Sequence, residues 1–123
     1  MEQKPLTDRF GRRIEYLRLS VTDRCDLRCA YCMPSHFSGY EEPEHWLSFD
    51  EIERLVSLFA RIGLRRVRLT GGEPLMRNGL ASLVRRIKGI REVDDLSLST
   101  NGTQLRKHAQ ALRDAGVDRL NVS

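Results

Sequence analysis

The chain has 123 residues, 40% of them hydrophobic and 31% charged, with a formal net charge of +4. That balance reads as a soluble globular chain and excludes a disordered segment, no apolar run approaches the roughly 18–20 residues of a membrane span, and the opening MEQKPLTDRFGRR lacks the apolar core of a secretory signal. Cytoplasm is therefore the expected compartment, where thiols stay reduced and clustered cysteines point to metal or catalysis more than to disulfides.

Residues 15–21, EYLRLSV, alternate like a strand. A long segment over residues 33–47 follows, to which no role is assigned. Ser48 and Glu51 have capping-box spacing and open a helix whose apolar face is Ile52, Leu55, Val56, Phe59 and Ile62, stopped by Gly63. Residues 65–70, RRVRLT, form the next strand. Asn78 is the expected cap of a second helix carrying Leu80, Leu83, Val84 and Ile87, which ends near Gly89. Residues 95–99 make a third strand. Thr103 is the expected cap of a third helix with Leu105, Ala109 and Leu112, closed by Gly116. Residues 118–122 make a fourth strand.

Strands alternating with helices predict an α/β fold with parallel pairing and right-handed crossovers. Strands buried on both faces normally read as continuous apolar runs. Here one parity is apolar (Leu17, Leu19, Val21; Val67, Leu69; Leu96, Leu98; Leu120, Val122). The other is polar (Arg18, Ser20; Arg66, Arg68, Thr70; Ser97, Ser99; Arg119, Asn121, Ser123). The apolar face is expected to pack on the helices. The polar face is expected to line the inside of a curved sheet, where an ordinary barrel carries Val, Ile and Leu. Arginines on that face point to an anionic ligand; the alternative is an open sheet whose polar face meets water. The chain has 18 Arg against 3 Lys, most of them expected on solvated helix faces. Few aromatics and interspersed acids argue against a nucleic-acid surface. Four strands do not close a barrel, and a bare last strand leaves an open edge, so the chain is expected to be the first part of a longer protein.

All three cysteines lie in CDLRCAYC, at spacing C-x3-C-x2-C: Cys25, Cys29 and Cys32. They follow the C-terminal end of the first strand, where ligand sites of α/β folds lie. Structural zinc needs four closed ligands, and His36 can complete a Cys3His set. A redox pair would use Cys29 and Cys32 and leave Cys25 unexplained. An iron–sulfur cluster suits the set best, because three thiolates hold three irons of a [4Fe–4S] cubane and leave the fourth open to a small molecule. His45 and His108 are expected to be structural or solvent-facing.

C-x3-C-x2-C with Tyr31 before the last cysteine, followed by GGEP at residues 71–74 directly after the second strand, resembles the signature of the radical S-adenosylmethionine (SAM) enzymes. Within that superfamily, DRFGRRIEYLRLSVTDRCDLRCAYCMP, LSFDEIERL, RLTGGEPLMR, STNGTQL and AGVDRLNVS resemble the GTP 3′,8-cyclases of molybdenum cofactor biosynthesis. The resemblance implies an incomplete (βα)6 barrel, of which residues 1–123 would be the N-terminal part of one radical SAM core domain. It implies a [4Fe–4S] cluster on Cys25, Cys29 and Cys32, with SAM on the open iron. Reductive SAM cleavage would give a 5′-deoxyadenosyl radical that takes H3′ of GTP, leading to 3′,8-cyclo-7,8-dihydro-GTP. A second [4Fe–4S] cluster is expected only in the family's C-terminal part, so this chain alone is expected not to convert GTP.

By the same resemblance, Tyr31, Gly72 and Ser123 match SAM contacts, and Arg18, Arg68 and Ser99 match GTP contacts. Ser99 stands where the family has threonine, which makes the neighbouring Thr100 an alternative. Two glycines also suit close approach of a ligand to the main chain. The family's partners would be a reductant protein and, downstream, cyclic pyranopterin monophosphate synthase, with a full-length homodimer as the expected assembly.

Overall fold

The computed structural model describes residues 6–24 and 46–123. Four strands, β1 (Tyr16–Ser20), β2 (Arg66–Thr70), β3 (Asp95–Thr100) and β4 (Arg119–Val122), alternate with three helices, α1 (Phe49–Arg61), α2 (Leu80–Lys88) and α3 (Leu105–Ala115). The strands pair in parallel in the order β1-β2-β3-β4. Each strand thus lies beside its chain neighbour, as the βαβ pattern predicts. No helix among the described residues is long and apolar enough to cross a membrane.

The parity of the strands decides the packing. Leu19, Val21, Val67, Leu69, Leu96 and Leu98 are buried. They form one core with Ile52 and Val56 of α1 and Leu80, Leu83, Val84 and Ile87 of α2. A strand exposes alternate residues to opposite faces, so one alternating sequence produces this one-sided core. The expectation that the apolar parity is covered throughout fails at β4: Leu120 is 39% and Val122 60% exposed. β4 is an edge strand, and Leu120 lines an open groove with Leu105, Ala109 and Leu112 of α3.

Helix starts show which local signals decide. The Ser48–Glu51 capping box forms in both directions, with Glu51 N–H donating to Ser48 Oγ at 3.1 Å and Ser48 N–H to Glu51 Oε1 at 2.8 Å. Two expected caps shift. At α2 the cap is Gly79 rather than Asn78, with left-handed φ of 76° and no side-chain capping bond. At α3 it is Gln104 rather than Thr103. The Thr103 hydroxyl instead donates to Asn101 Oδ1 at 2.8 Å in the turn before the helix. In both cases the turn chemistry between strand and helix takes the place of the cap.

Asp118 fastens the last strand. Its N–H donates to the Leu96 carbonyl at 2.9 Å, and its Oδ2 accepts from Leu96 N–H at 2.8 Å and Lys88 Nζ at 2.9 Å. Desolvation alone would raise the Asp118 pKa, but the Lys88 and Leu96 hydrogen bonds and the charges of Lys88 and Arg119 together lower it. A carboxyl whose folded pKa is depressed adds stability above its unfolded value and loses it as pH falls through the folded one. Asp118→Asn should therefore lower the urea midpoint at neutral pH. It should also reduce the acid-induced loss of stability below about pH 4, read from urea unfolding across pH.

Candidate functional site

The C-terminal edge of the sheet is built around GGEP. Gly71 has φ of 146°, and a Cβ there would sit 2.3 Å from the Thr22 carbonyl oxygen. A Cβ on Gly72 would sit 2.2 Å from the Arg24 carbonyl oxygen. The loop after β2 therefore lies hard against the segment leaving β1, and only glycine permits it. Gly72 N–H donates to Thr22 O at 2.9 Å and Glu73 N–H to Arg24 O at 2.6 Å. The residue after Arg24 is Cys25, so these bonds set the start of the cysteine segment. Cys25, Cys29, Cys32, Tyr31, His36 and His45 lie outside the described residues.

Glu73 is wholly buried. Its Oε1 accepts from Thr100 Oγ1 at 2.7 Å and Leu75 N–H at 3.2 Å, and its Oε2 accepts from Asn101 N–H at 2.7 Å. The Thr100 hydroxyl also accepts from Gly102 N–H at 3.1 Å. A buried carboxylate is tolerable when donors converge on it, and here its own turn and the end of β3 supply three. The same bonds separate the two hydroxyls that the sequence left as alternatives. Thr100 faces Glu73 and spends its proton there, whereas Ser99 shares the polar parity, in register with Asn121.

The polar face carries the arginines. Arg18 and Arg68 are Cα partners across β1 and β2, and Arg68 is in turn partnered with Ser97, and Ser97 with Arg119. Arg119 pairs with Asp95. Arg68 Nε donates to Ser97 Oγ at 3.3 Å. With its amide oxygen turned to the guanidinium, Asn121 accepts from Arg68 at 2.6–3.2 Å. Arg68 is thus held across three strands, and it lies 5.9 Å from the Tyr16 ring centre. The Arg18 side chain is exposed and makes no hydrogen bond or ion pair among the described residues. Like charges side by side across a strand pair repel. Two adjacent arginines without a carboxylate partner among the described residues leave a site that favours an anion.

Gly72 and Ser123 both lie at the C-terminal edge. The Ser123 N–H extends the β3–β4 ladder by donating to Thr100 O at 3.0 Å. The Gly72 N–H is committed to Thr22, so the atom it leaves for a ligand is its carbonyl oxygen, which suits an ammonium donor. Three thiols without a fourth suit a cluster that keeps one iron open. This chain's residues therefore fit an iron–sulfur cluster and an amino-acid-bearing cofactor.

Sequence reasoning missed two contributors, Glu73 as a hydrogen-bond hub and Arg77. Nη1 of Arg77 donates to Val21 O at 2.9 Å and Nη2 to Leu47 O at 2.6 Å. Its guanidinium lies 4.6 Å from the Phe49 ring centre and 5.5 Å from that of Trp46. Burial lowers its pKa from the ordinary arginine value. Both lie in stretches that the sequence already marks, Glu73 in GGEP and Arg77 at the end of RLTGGEPLMR, but their roles do not show there, because their partners lie 27 and 28 residues away for Glu73 and 56 and 30 for Arg77.

The profile of the Radical SAM superfamily matches residues 19–123. A GTP 3′,8-cyclase of Limosilactobacillus fermentum is 49% identical over 98% of this chain and 36% of its own length. One from Ectopseudomonas mendocina is 51% identical over 100% of this chain and 37% of its own. The chain spans little more than a third of the curated relatives it matches. Among solved structures, BtrN in an open conformation superposes with a TM-score of 0.67 at 23% identity, covering 90% of this chain and 50% of BtrN. BtrN in complex with AdoMet and 2-DOIA gives 0.66 at 21% identity, covering 98% and 46%. At those identities the likeness concerns the fold.

Glu73→Ala should strip a buried hub of its acceptors and cost about 3 kcal/mol. Glu73→Gln, which sets an amide nitrogen against a donor, should cost about half as much; both are read from urea unfolding. The parallel order of the strands, the glycine loop after β2 and the profile match over residues 19–123 converge on one assignment: the chain belongs to the radical SAM superfamily.

Proposed function

We propose that this chain is the SAM-binding part of a GTP 3′,8-cyclase of molybdenum cofactor biosynthesis. The observation that carries the reading is the Arg18–Arg68 pair, in register on the polar face. Each arginine stands two residues before the last residue of its strand, Ser20 or Thr70, at the edge that Gly72 and Ser123 share. The names of the relatives support GTP as the substrate. On this reading residues 1–123 form the N-terminal part of one radical SAM core domain, working in the cytoplasm.

Cys25, Cys29 and Cys32 would hold the [4Fe–4S] cluster. When bound with SAM, it would supply one-electron cleavage to a 5′-deoxyadenosyl radical. The Gly72 carbonyl would accept from the SAM ammonium, and Tyr31 and Ser123 would complete the SAM contacts. Arg68, already fixed by Ser97 and Asn121, would present its guanidinium to the triphosphate at little entropic cost. Arg18, without a partner among the described residues, would close on the same anion. Ser99 would offer its hydroxyl from the same face. Arg18, Arg68 and Ser99 would together bind and orient GTP, and such orientation is what the protein would contribute to a radical transfer. The reductant protein, cyclic pyranopterin monophosphate synthase as consumer of the product, and a homodimeric full-length enzyme belong to the same proposal.

The test is anaerobic iron–sulfur reconstitution followed by reduction with SAM. Wild type should bind iron and release 5′-deoxyadenosine, while Cys29→Ala should do neither. About one zinc per chain, with no iron uptake, would overturn the reading in favour of a Cys3His zinc module. Arg68→Gln should weaken GTP binding about tenfold or more, as expected for loss of a charge-assisted contact, with iron content unchanged. GTP binding is read by calorimetry.

A further inference from the structure

We propose that Arg77 is a positioning residue that ties together the two ends of the cysteine-bearing segment. The inference rests on the reading of Cys25, Cys29 and Cys32 as cluster ligands. One guanidinium bonds the carbonyl of Val21, before the cysteines, and the carbonyl of Leu47, after them, at 2.9 and 2.6 Å. Val21 is 2% exposed and extends the β1–β2 ladder through a 3.0 Å bond from its N–H to Thr70 O. Leu47 adjoins Ser48, the cap of α1. The two carbonyls therefore belong to the fixed points at which the chain leaves β1 and enters α1.

Arg77 is itself held from behind. It follows the 3-10 turn Pro74–Met76, and its N–H donates to Pro74 O at 3.0 Å. That turn begins at Glu73, whose carboxylate accepts from Thr100 and Asn101. The clamp is thus referenced to the end of β3 and does not hang from a free side chain. Phe49 and Trp46 lie against the guanidinium and keep it in the plane that serves both carbonyls.

An arginine suits this task and a lysine does not. The planar fork offers parallel donors to two separate acceptors, while an ammonium is a compact charge without fork geometry. Closing a segment of this length costs little more than closing a shorter one, so the value of the clamp lies in placement. It fixes where the segment starts and where it ends. Residues that orient metal ligands without touching the metal act in this way.

The test compares wild type with Arg77→Gln and Arg77→Lys. Arg86→Gln serves as a control that removes ion pairs to Asp50 and Glu53 on the outer helices. Each chain is reconstituted anaerobically, and iron release to excess chelator is timed. Arg77→Gln should release iron about tenfold faster than wild type, the scale seen when an outer partner of a metal site is removed. Arg77→Lys should restore little of the loss, and Arg86→Gln should match wild type. Limited proteolysis of the iron-free chains gives a readout independent of the cluster: cleavage between residues 22 and 46 should rise in both Arg77 variants and not in Arg86→Gln. Wild-type rates of iron release and cleavage in Arg77→Gln would overturn the proposal. Failure of wild type to take up iron would instead overturn the cluster reading, while faster cleavage of the Arg77 variants would still show the clamp.

Discussion

The buried carboxylate of Glu73 holds the functional edge of this molecule together. A charge removed from water costs several kcal/mol unless donors converge on it. Here the donors come from its own turn, from the hydroxyl of Thr100 at the end of β3 and from the backbone of Asn101 beyond it. The carboxylate therefore joins the loop after β2 to the end of β3. On the other side the N–H groups of Gly72 and Glu73 hold the chain leaving β1. Three strand ends are thereby set relative to one another, and the cysteine segment begins at one of them.

The sheet divides its labour by face. The apolar parity makes the core with α1, α2 and α3. The polar parity can then carry arginines without disturbing packing. Its charges are not equivalent. Arg119 is neutralised by Asp95, and Arg68 is oriented by neutral partners, Ser97 and Asn121, which hold the guanidinium and leave its charge uncancelled. A carboxylate in either place would have removed the attraction for an anion. Orientation by neutral oxygens keeps a cation ready for one.

Much of the fold was legible because it rests on period and local chemistry. Alternation found the strands to within one residue at each end, and Ser48 with Glu51 announced the start of α1. Where the reading slipped, the competing interaction was also local but did not show in the residue type. Thr103 looks like a cap and works as a turn residue bonded to Asn101. Asn78 precedes a position whose backbone needs the left-handed region, which Gly79 supplies. Leu120 and Val122 follow the alternation of the other strands, yet on the edge strand β4 they stay partly open to solvent.

The sequence by itself determined the donor set, the glycine loop and the two-faced strands, since spacing and alternation are properties of the chain before it folds. Tertiary structure decided which polar groups are engaged within the fold. Thr100 and Ser99 are adjacent hydroxyls of the same chemistry, and only the arrival of Glu73 behind β3 commits one of them. Arg18, Arg68, Arg77 and Arg119 are the same residue type. One is held by neutral neighbours, one is paired with a carboxylate, one bridges two distant carbonyls, and one makes no such bond among the described residues. The reason is range: hydrogen-bond partners separated by 24 to 56 residues meet only after the sheet has brought its strands into register.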